Sequence, residues 1–380
     1  METAFAKQSV RSVETTSREN QRIASLDPLR GDALMQNVPV FNRKKDIIQL
    51  VLLLVDLLPT HNEAEAFDAY EANAAVRDIG ILIGSVKRHG VEPVNVIPHL
   101  EEKMNLLAAK NGLPPRDTLL HYTIWNPTNH RRRTYTGTDD ESYLIDSVVV
   151  AMDPLVAAIG LLEQLHRTPM QSPGYAGICG EVQQVFGKVV EGVVMARRFV
   201  SPAYFANELR LYFDPIHLNS RTYLGPGAVE MPMFVFDHLL WSSDCPDAEY
   251  RTFKETYVPY LHHDMRRTYR AFDGKASLVT QACRHADECG QLSQAVYESL
   301  KALAGCCRML KSFRMPHKKI ADEAYAHTRS GQEDANQRTH GSGGYSTEIL
   351  SHLIELTRQT NEALEMRLRR HAGEAYAIGG

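Results

Sequence analysis

Ser312-Phe313-Arg314-Met315-Pro316-His317-Lys318-Lys319-Ile320-Ala321-Asp322-Glu323-Ala324 is the stretch on which the reading of this chain turns. A proline is tolerated in a first helical turn, where its missing N–H has no partner within the helix. The spacing therefore predicts a helix from Arg314 to Arg329 with His317 at its head. Ala321 and Ala324 follow at i+4 and i+7 on the same face, and both are small. A flat, iron-bearing group could lie close to that face with the imidazole as its metal ligand. Arg314, at i−3, could reach an anionic edge of such a group with a bidentate fork. The plain alternative is an amphipathic helix whose alanines mark a tight helix crossing.

Downstream, Gly341-Ser342-Gly343-Gly344-Tyr345 forms a glycine loop whose amides could approach a ligand while Ser342 supplies a hydroxyl. No Lys-Ser/Thr follows it and no strand precedes it, so it is not a phosphate-binding loop. Upstream, Tyr143 and Ser147 are four apart and share a helix face, although a buried serine usually bonds back to a carbonyl of the preceding turn. Tyr204, Phe205 and Arg210 follow Pro202; they read either as core aromatics with a solvated arginine or as an aromatic wall with a carboxylate clamp. The turn Gly225-Pro226-Gly227-Ala228 could bring backbone to a pocket rim.

Working outward, apolar residues recur at three- and four-residue intervals over 46–58, 64–89, 96–111, 141–166, 182–199, 233–241, 248–272, 275–310, 314–329 and 347–371. No run alternates as a strand would, so the predicted fold is all-α. Breaks fall at Gly90 to Pro93, Gly112 to Pro115, Trp125 to Thr128 and Gly225 to Gly227. The polar stretch 129–141, with Arg131-Arg132-Arg133 read as solvated, marks a boundary. The expected organisation is a disordered or loosely docked arm over 1–25, a small N-terminal helical domain over 26–130 and a larger helical domain over 131–380.

Composition narrows the partners. With 380 residues and 43% hydrophobic content the chain can build its own core without crosslinks. Forty-two basic against forty-six acidic residues give a net charge of −4, so no nucleic-acid partner is expected. The run from Ile47 to Leu58 is interrupted by Gln49 and Asp56 and is too short to span a bilayer, so no membrane partner is expected. The N-terminus lacks the apolar core of a signal peptide. The six cysteines show no paired C-x-x-C spacing, and Cys283-Arg284-His285 with Cys289 lacks a fourth zinc ligand. A cytoplasmic location is expected.

The ordered set Ser147, Tyr204-Phe205 with Arg210, Gly225 to Ala228, Phe313 to His317 and the Gly-Ser-Gly-Gly loop resembles the haem-dependent indoleamine and tryptophan 2,3-dioxygenase superfamily. The phrases Arg77-Asp78-Ile79-Gly80, Ser85 to Gly90, Trp125 to Thr128, Tyr135-Thr136-Gly137, Tyr223 to Pro232, Phe253 to Tyr257 and Ser342 to Tyr345 are similar to its monodechloroaminopyrrolnitrin synthase branch. That resemblance implies a dioxygenase-like helical haem fold, with His317 as proximal ligand of haem b and Arg314 holding a propionate. It implies that Ser147 lines the distal pocket and that Tyr325 and Ser342 position substrate. Tyr143, Tyr204, Phe205, Arg210, Gly227, Ala228 and Gly343 would complete the substrate site. The implied reaction rearranges tryptophan or 7-chlorotryptophan to an aminophenylpyrrole with loss of the carboxyl group, using oxygen or peroxide. Asp334 to His340 lengthens the spacer before the glycine loop relative to that family.

Overall fold

In a computed structural model, the described residues are 17–289, 291–329 and 348–377. The N-terminal half is organised by α1 (Ile47–Leu57), α2 (Ala69–Arg88) and α3 (Leu100–Asn111). The Asp46 carboxylate caps α1 by accepting from the Gln49 amide at 3.2 Å, and Leu50, Leu53, Leu54 and Leu57 form its inner stripe. Asp68 and Glu71 form a reciprocal capping box at the start of α2. From Ala72 to Val86 every residue of α2 is buried, so this helix runs through the centre of its layer and not across the surface. The core around it also takes Tyr135, Ile145, Leu209, Tyr212, Phe213, Ile216 and Leu218 from beyond residue 130.

The second core lies among α4 (Asp139–Leu165), α5 (Pro173–Phe199), α6 (Ala248–Tyr257), α7 (His263–Phe272), α8 (Leu278–Glu288), α9 (Gln294–Arg329) and α10 (Glu348–Ala377). Helix α4 packs along α5, α5 along α9, and α9 along α10. Gly192 sets the α4–α5 approach: a Cβ there would sit 2.6 Å from the Ser147 carbonyl oxygen. Among the described residues α4 is the one helix long and apolar enough to cross a membrane. It contributes Val148, Ala151, Leu155 and Leu162 to the second core, as a core helix does.

The predicted all-α class holds, with one small addition. Residues Ile216–Leu218 (β1) and Arg221–Tyr223 (β2) pair as an antiparallel hairpin. Its turn residues Asn219 and Ser220 have φ of 48° and 58°, the left-handed pair that a two-residue hairpin turn needs. Three residues per strand are too few for alternation to register in the sequence.

Several boundaries also differ from the sequence reading. Helix α5 starts at Pro173, nine residues early, because Ser172 caps it and Pro173 takes the first position. Helix α9 runs unbroken from Gln294, so Pro316 sits inside it and His317 is not at a helix head. The carbonyl that loses its intrahelical partner belongs to Ser312, an exposed residue; Pro154 inside α4 leaves the carbonyl of Val150, likewise exposed. The arginine triplet is not solvated. Arg131 donates to Asp32 at 2.6 Å, Arg132 to Asp146 at 2.6 Å, and fully buried Arg133 to both Asp78 oxygens at 2.9 Å. Residues 17–25, expected within a loose arm, form a docked helix: Ile23 is buried and Asn20 accepts from the Trp125 indole at 2.8 Å.

Candidate functional site

Helix α9 carries His317 two turns beyond Leu310, with the Phe313 ring 5.7 Å from the imidazole. His317 is half-buried. Desolvation, with the Arg314 charge as a second cause, pushes its pKa down to about 4, so the imidazole is neutral with a lone pair to give at ordinary pH. Among the described residues no hydrogen bond engages either of its ring nitrogens. Ala321 and Ala324 follow on the helix, Ala324 buried. A neutral imidazole beside small side chains is a donor that could hold an iron-bearing group at this position.

Arg314 is placed differently from the expectation. Its guanidinium is buried and donates to Asp237 Oδ2 and to Thr357 Oγ1 on α10, with the Trp241 ring 5.9 Å from Cζ. Asp237 also accepts from the Tyr250 hydroxyl at 2.6 Å and the Trp241 indole at 3.0 Å. The guanidinium is thus an anchor that fixes α9 against α10 and against the π-helical turn His238–Ser242, and a propionate would have to compete with a buried carboxylate for it. In the same layer, burial lowers Lys254 to about 8 and His238 to about 3, while Lys254 donates to the Ser242 carbonyl at 2.7 Å.

Arg210 and Tyr325 do come together: the buried guanidinium lies 5.3 Å from the Tyr325 ring centroid, joining the 3-10 turn Leu209–Phe213 to the C-terminal half of α9. Ser147 is buried on α4 and donates to the Leu144 carbonyl at 2.7 Å, a back-bond to the preceding turn. Its partner helix α5 also carries Phe186, whose ring is 6.1 Å from Phe313, so one helix serves both Ser147 and the His317 neighbourhood. Tyr143, four residues before Ser147, is exposed instead and stacks on Phe199 at 4.7 Å. The Tyr204 hydroxyl is held between Thr136 at 2.5 Å and Thr138 at 2.7 Å, and Phe205 packs against the N-terminal core. Gly227 is buried and its amide donates to the Gly225 carbonyl at 2.7 Å; Ala228 opens the 3-10 turn Ala228–Glu230. Ser342 and Gly343, with the rest of the glycine loop and the 334–340 spacer, lie outside the described residues.

A separate surface cleft of about 370 Å³ opens between α8 and α10, lined by Trp241, Cys245, Cys283, Thr280, Ala363 and Arg367 among others. None of the site residues expected from the sequence lines it. The residues that sequence reasoning missed are Asp237, Thr357, Glu141 and the pair Arg116-Asp117. Asp237 did leave a signal, since a carboxylate inside Met233-Phe234-Val235-Phe236-Asp237-His238-Leu239-Leu240-Trp241 must be buried and therefore paired. Glu141, fully buried, accepts from the Tyr122 hydroxyl at 2.9 Å and from the Tyr135 and Thr136 amides at 2.7 Å each, which is what orders the supposed linker.

The frame is all-α, and one long helix carries both the neutral His317 and the Tyr325 ring that meets Arg210 of the 3-10 turn. The family model described as Monodechloroaminopyrrolnitrin synthase PrnB matches residues 41–378, and the chain belongs to that family. It is accordingly an enzyme of pyrrolnitrin biosynthesis.

Proposed function

We propose that this chain holds one haem b through His317 and rearranges tryptophan or 7-chlorotryptophan, with loss of the carboxyl group, to an aminophenylpyrrole. The observation that carries the reading is the His317 imidazole, kept neutral by its surroundings on the same helix that brings Tyr325 to Arg210. Bound haem would supply the redox chemistry, drawing on oxygen or peroxide. The protein's part is to bind, orient and exclude water. Arg210, buried beside an aromatic ring, would supply the positive charge that faces the amino-acid carboxylate. Tyr325, whose phenol burial holds protonated, can donate a hydrogen bond toward substrate. Ser147 keeps hydroxyl lone pairs for an incoming donor while its O–H is donated to the Leu144 carbonyl. Tyr204, Phe205 and Gly227 would wall the indole, and Tyr143 would stand at the mouth. The absence of disulfides among the six cysteines agrees with a reducing, cytoplasmic setting.

The test is a haem difference spectrum of the purified protein, titrated with L-tryptophan and with 7-chloro-L-tryptophan and followed by product mass. The reading expects a substrate-dependent shift of the Soret band and a product that has lost the carboxyl group. A product that keeps the carboxyl and gains two oxygens identifies dioxygenation instead. Haem binding with no response to either amino acid would make the chain a carrier.

A further inference from the structure

We propose that Arg116, Asp117, Glu230 and Tyr135 enclose an internal hydration site beneath the Gly225–Gly227 turn, and that water held there fixes the turn against the N-terminal core. The four side chains are 0%, 1%, 4% and 0% exposed. Each has one polar atom without a hydrogen-bond partner: Arg116 Nη2, Asp117 Oδ2, Glu230 Oε1 and the Tyr135 hydroxyl. Their remaining atoms are used. Arg116 Nε donates to Asp117 Oδ1 at 2.7 Å and its Nη1 to the Asp214 carbonyl at 3.0 Å, while Glu230 Oε2 accepts from the Leu119 amide at 2.5 Å.

Two glycines of α2, one turn apart, give the cluster its floor. A Cβ on Gly80 would lie 2.2 Å from the Asp117 Cβ, and one on Gly84 would lie 2.8 Å from the Tyr135 hydroxyl. On the opposite side Arg116 Nη2 is 2.9 Å from where a Gly225 Cβ would stand, and the Phe213 carbonyl oxygen is 2.4 Å from it. The turn therefore rests directly on the arginine. Arg116 is hydrogen-bonded to Asp117, Glu230 accepts from the Leu119 amide two residues on, and Tyr135 sits one α2 turn from Asp117, so the four side chains share one neighbourhood.

The chemistry selects a neutral, bifunctional occupant. Arg116 and Tyr135 offer donors, and Asp117 offers an acceptor. The Glu230 carboxyl, pushed upward by burial with Asp117 adding to the effect, offers Oε1 to the same space. An anion would face Asp117 and a cation would face Arg116. Water, which needs two to four polar partners in a buried site, satisfies both kinds of group at once.

The proposal is independent of haem and is tested on the unmodified chain, by a crystal structure resolved well enough to show ordered water. The expected result is water within hydrogen-bond distance of two or more of the four named atoms. Direct pairing of those atoms with one another in a dry core, or an ion in their midst, would overturn it. In solution, oxygen-17 relaxation dispersion reads long-lived internal water. Glu230→Gln keeps the signal and Glu230→Met loses part of it; an unchanged signal in a folded Glu230→Met protein contradicts the proposal.

Discussion

At the residue scale, Asp78 shows how a short motif can be visible while its purpose is not. It accepts from Arg77 Nε at 2.7 Å and from Arg133 at 2.9 Å, and all three side chains are fully buried. Burial alone would raise its pKa, but the two arginines outweigh that and hold the carboxyl below its usual range. Arg77 also donates to the Ile23, Leu26 and Trp125 carbonyls, so one guanidinium ties the 17–25 helix to α2. Replacing Asp78 with Ala leaves buried Arg77 without its carboxylate and Arg133 with Asp32 as its nearest one, and should lower the unfolding free energy by about 3–5 kcal/mol in urea titration. Gly80 belongs to the same phrase for a steric reason. Gly80→Ala should destabilise by about 1–3 kcal/mol, because its methyl meets Asp117, whereas Gly187→Ala, with nothing within 4 Å, should stabilise by about 0.5–1 kcal/mol. Equal effects in the two variants would contradict that packing. Arg77, Asp78 and Gly80 were legible as a family phrase, yet their partners stand far away in sequence and no local pattern names them.

At the element scale, α9 is where sequence and structure diverge most usefully. A proline before a histidine reads locally as a helix start. The helix instead passes through Pro316, since the one carbonyl it strands is exposed and Arg314, two residues earlier, is pinned from both sides by Asp237 and Thr357. That compensation is tertiary and cannot be read from spacing. Helix type was legible for nearly every long apolar-periodic segment, including α4 and α10, whereas ends set by Ser172 at α5 or by the short β1–β2 hairpin were not. The two anchors of Arg314 should separate on mutation. Asp237→Ala leaves a buried guanidinium without its charge partner and should cost about 3–5 kcal/mol, while Thr357→Val removes a neutral acceptor and should cost about 1–2 kcal/mol. Denaturant unfolding of the two variants, side by side, checks the ratio; a larger loss for Thr357→Val would show that the ion pair is not what holds α9.

At the scale of the whole molecule, desolvated imidazoles tie stability to pH. Desolvation, helped by neighbouring cations or a second imidazole, lowers His121 and His238 to about 3 and His262 and His317 to about 4, against an ordinary value of 6.5. The unfolded chain therefore takes up protons first as pH falls. The contribution of these groups is complete above about pH 6.5 and is lost on the way down to about pH 4, at up to about 1.4 kcal/mol per pH unit for each proton. Glu230, Asp117 and Asp153, raised by burial, oppose this in part, and the depressed Asp78 adds its own loss only near and below its ordinary 3.8. The urea midpoint should fall steadily from pH 6.5 to pH 4, and a flat midpoint across that window would contradict the desolvation of these rings. The same neutrality underlies the proposed cofactor, because only an unprotonated His317 can ligate iron. The most direct measurement is haem stoichiometry from the Soret band of the wild-type chain and of His317→Ala, reconstituted identically and compared with urea midpoints to confirm that both are folded. The account predicts one haem per wild-type chain and loss of stoichiometric haem in a folded variant; full occupancy with an unaltered Soret band in His317→Ala would contradict it.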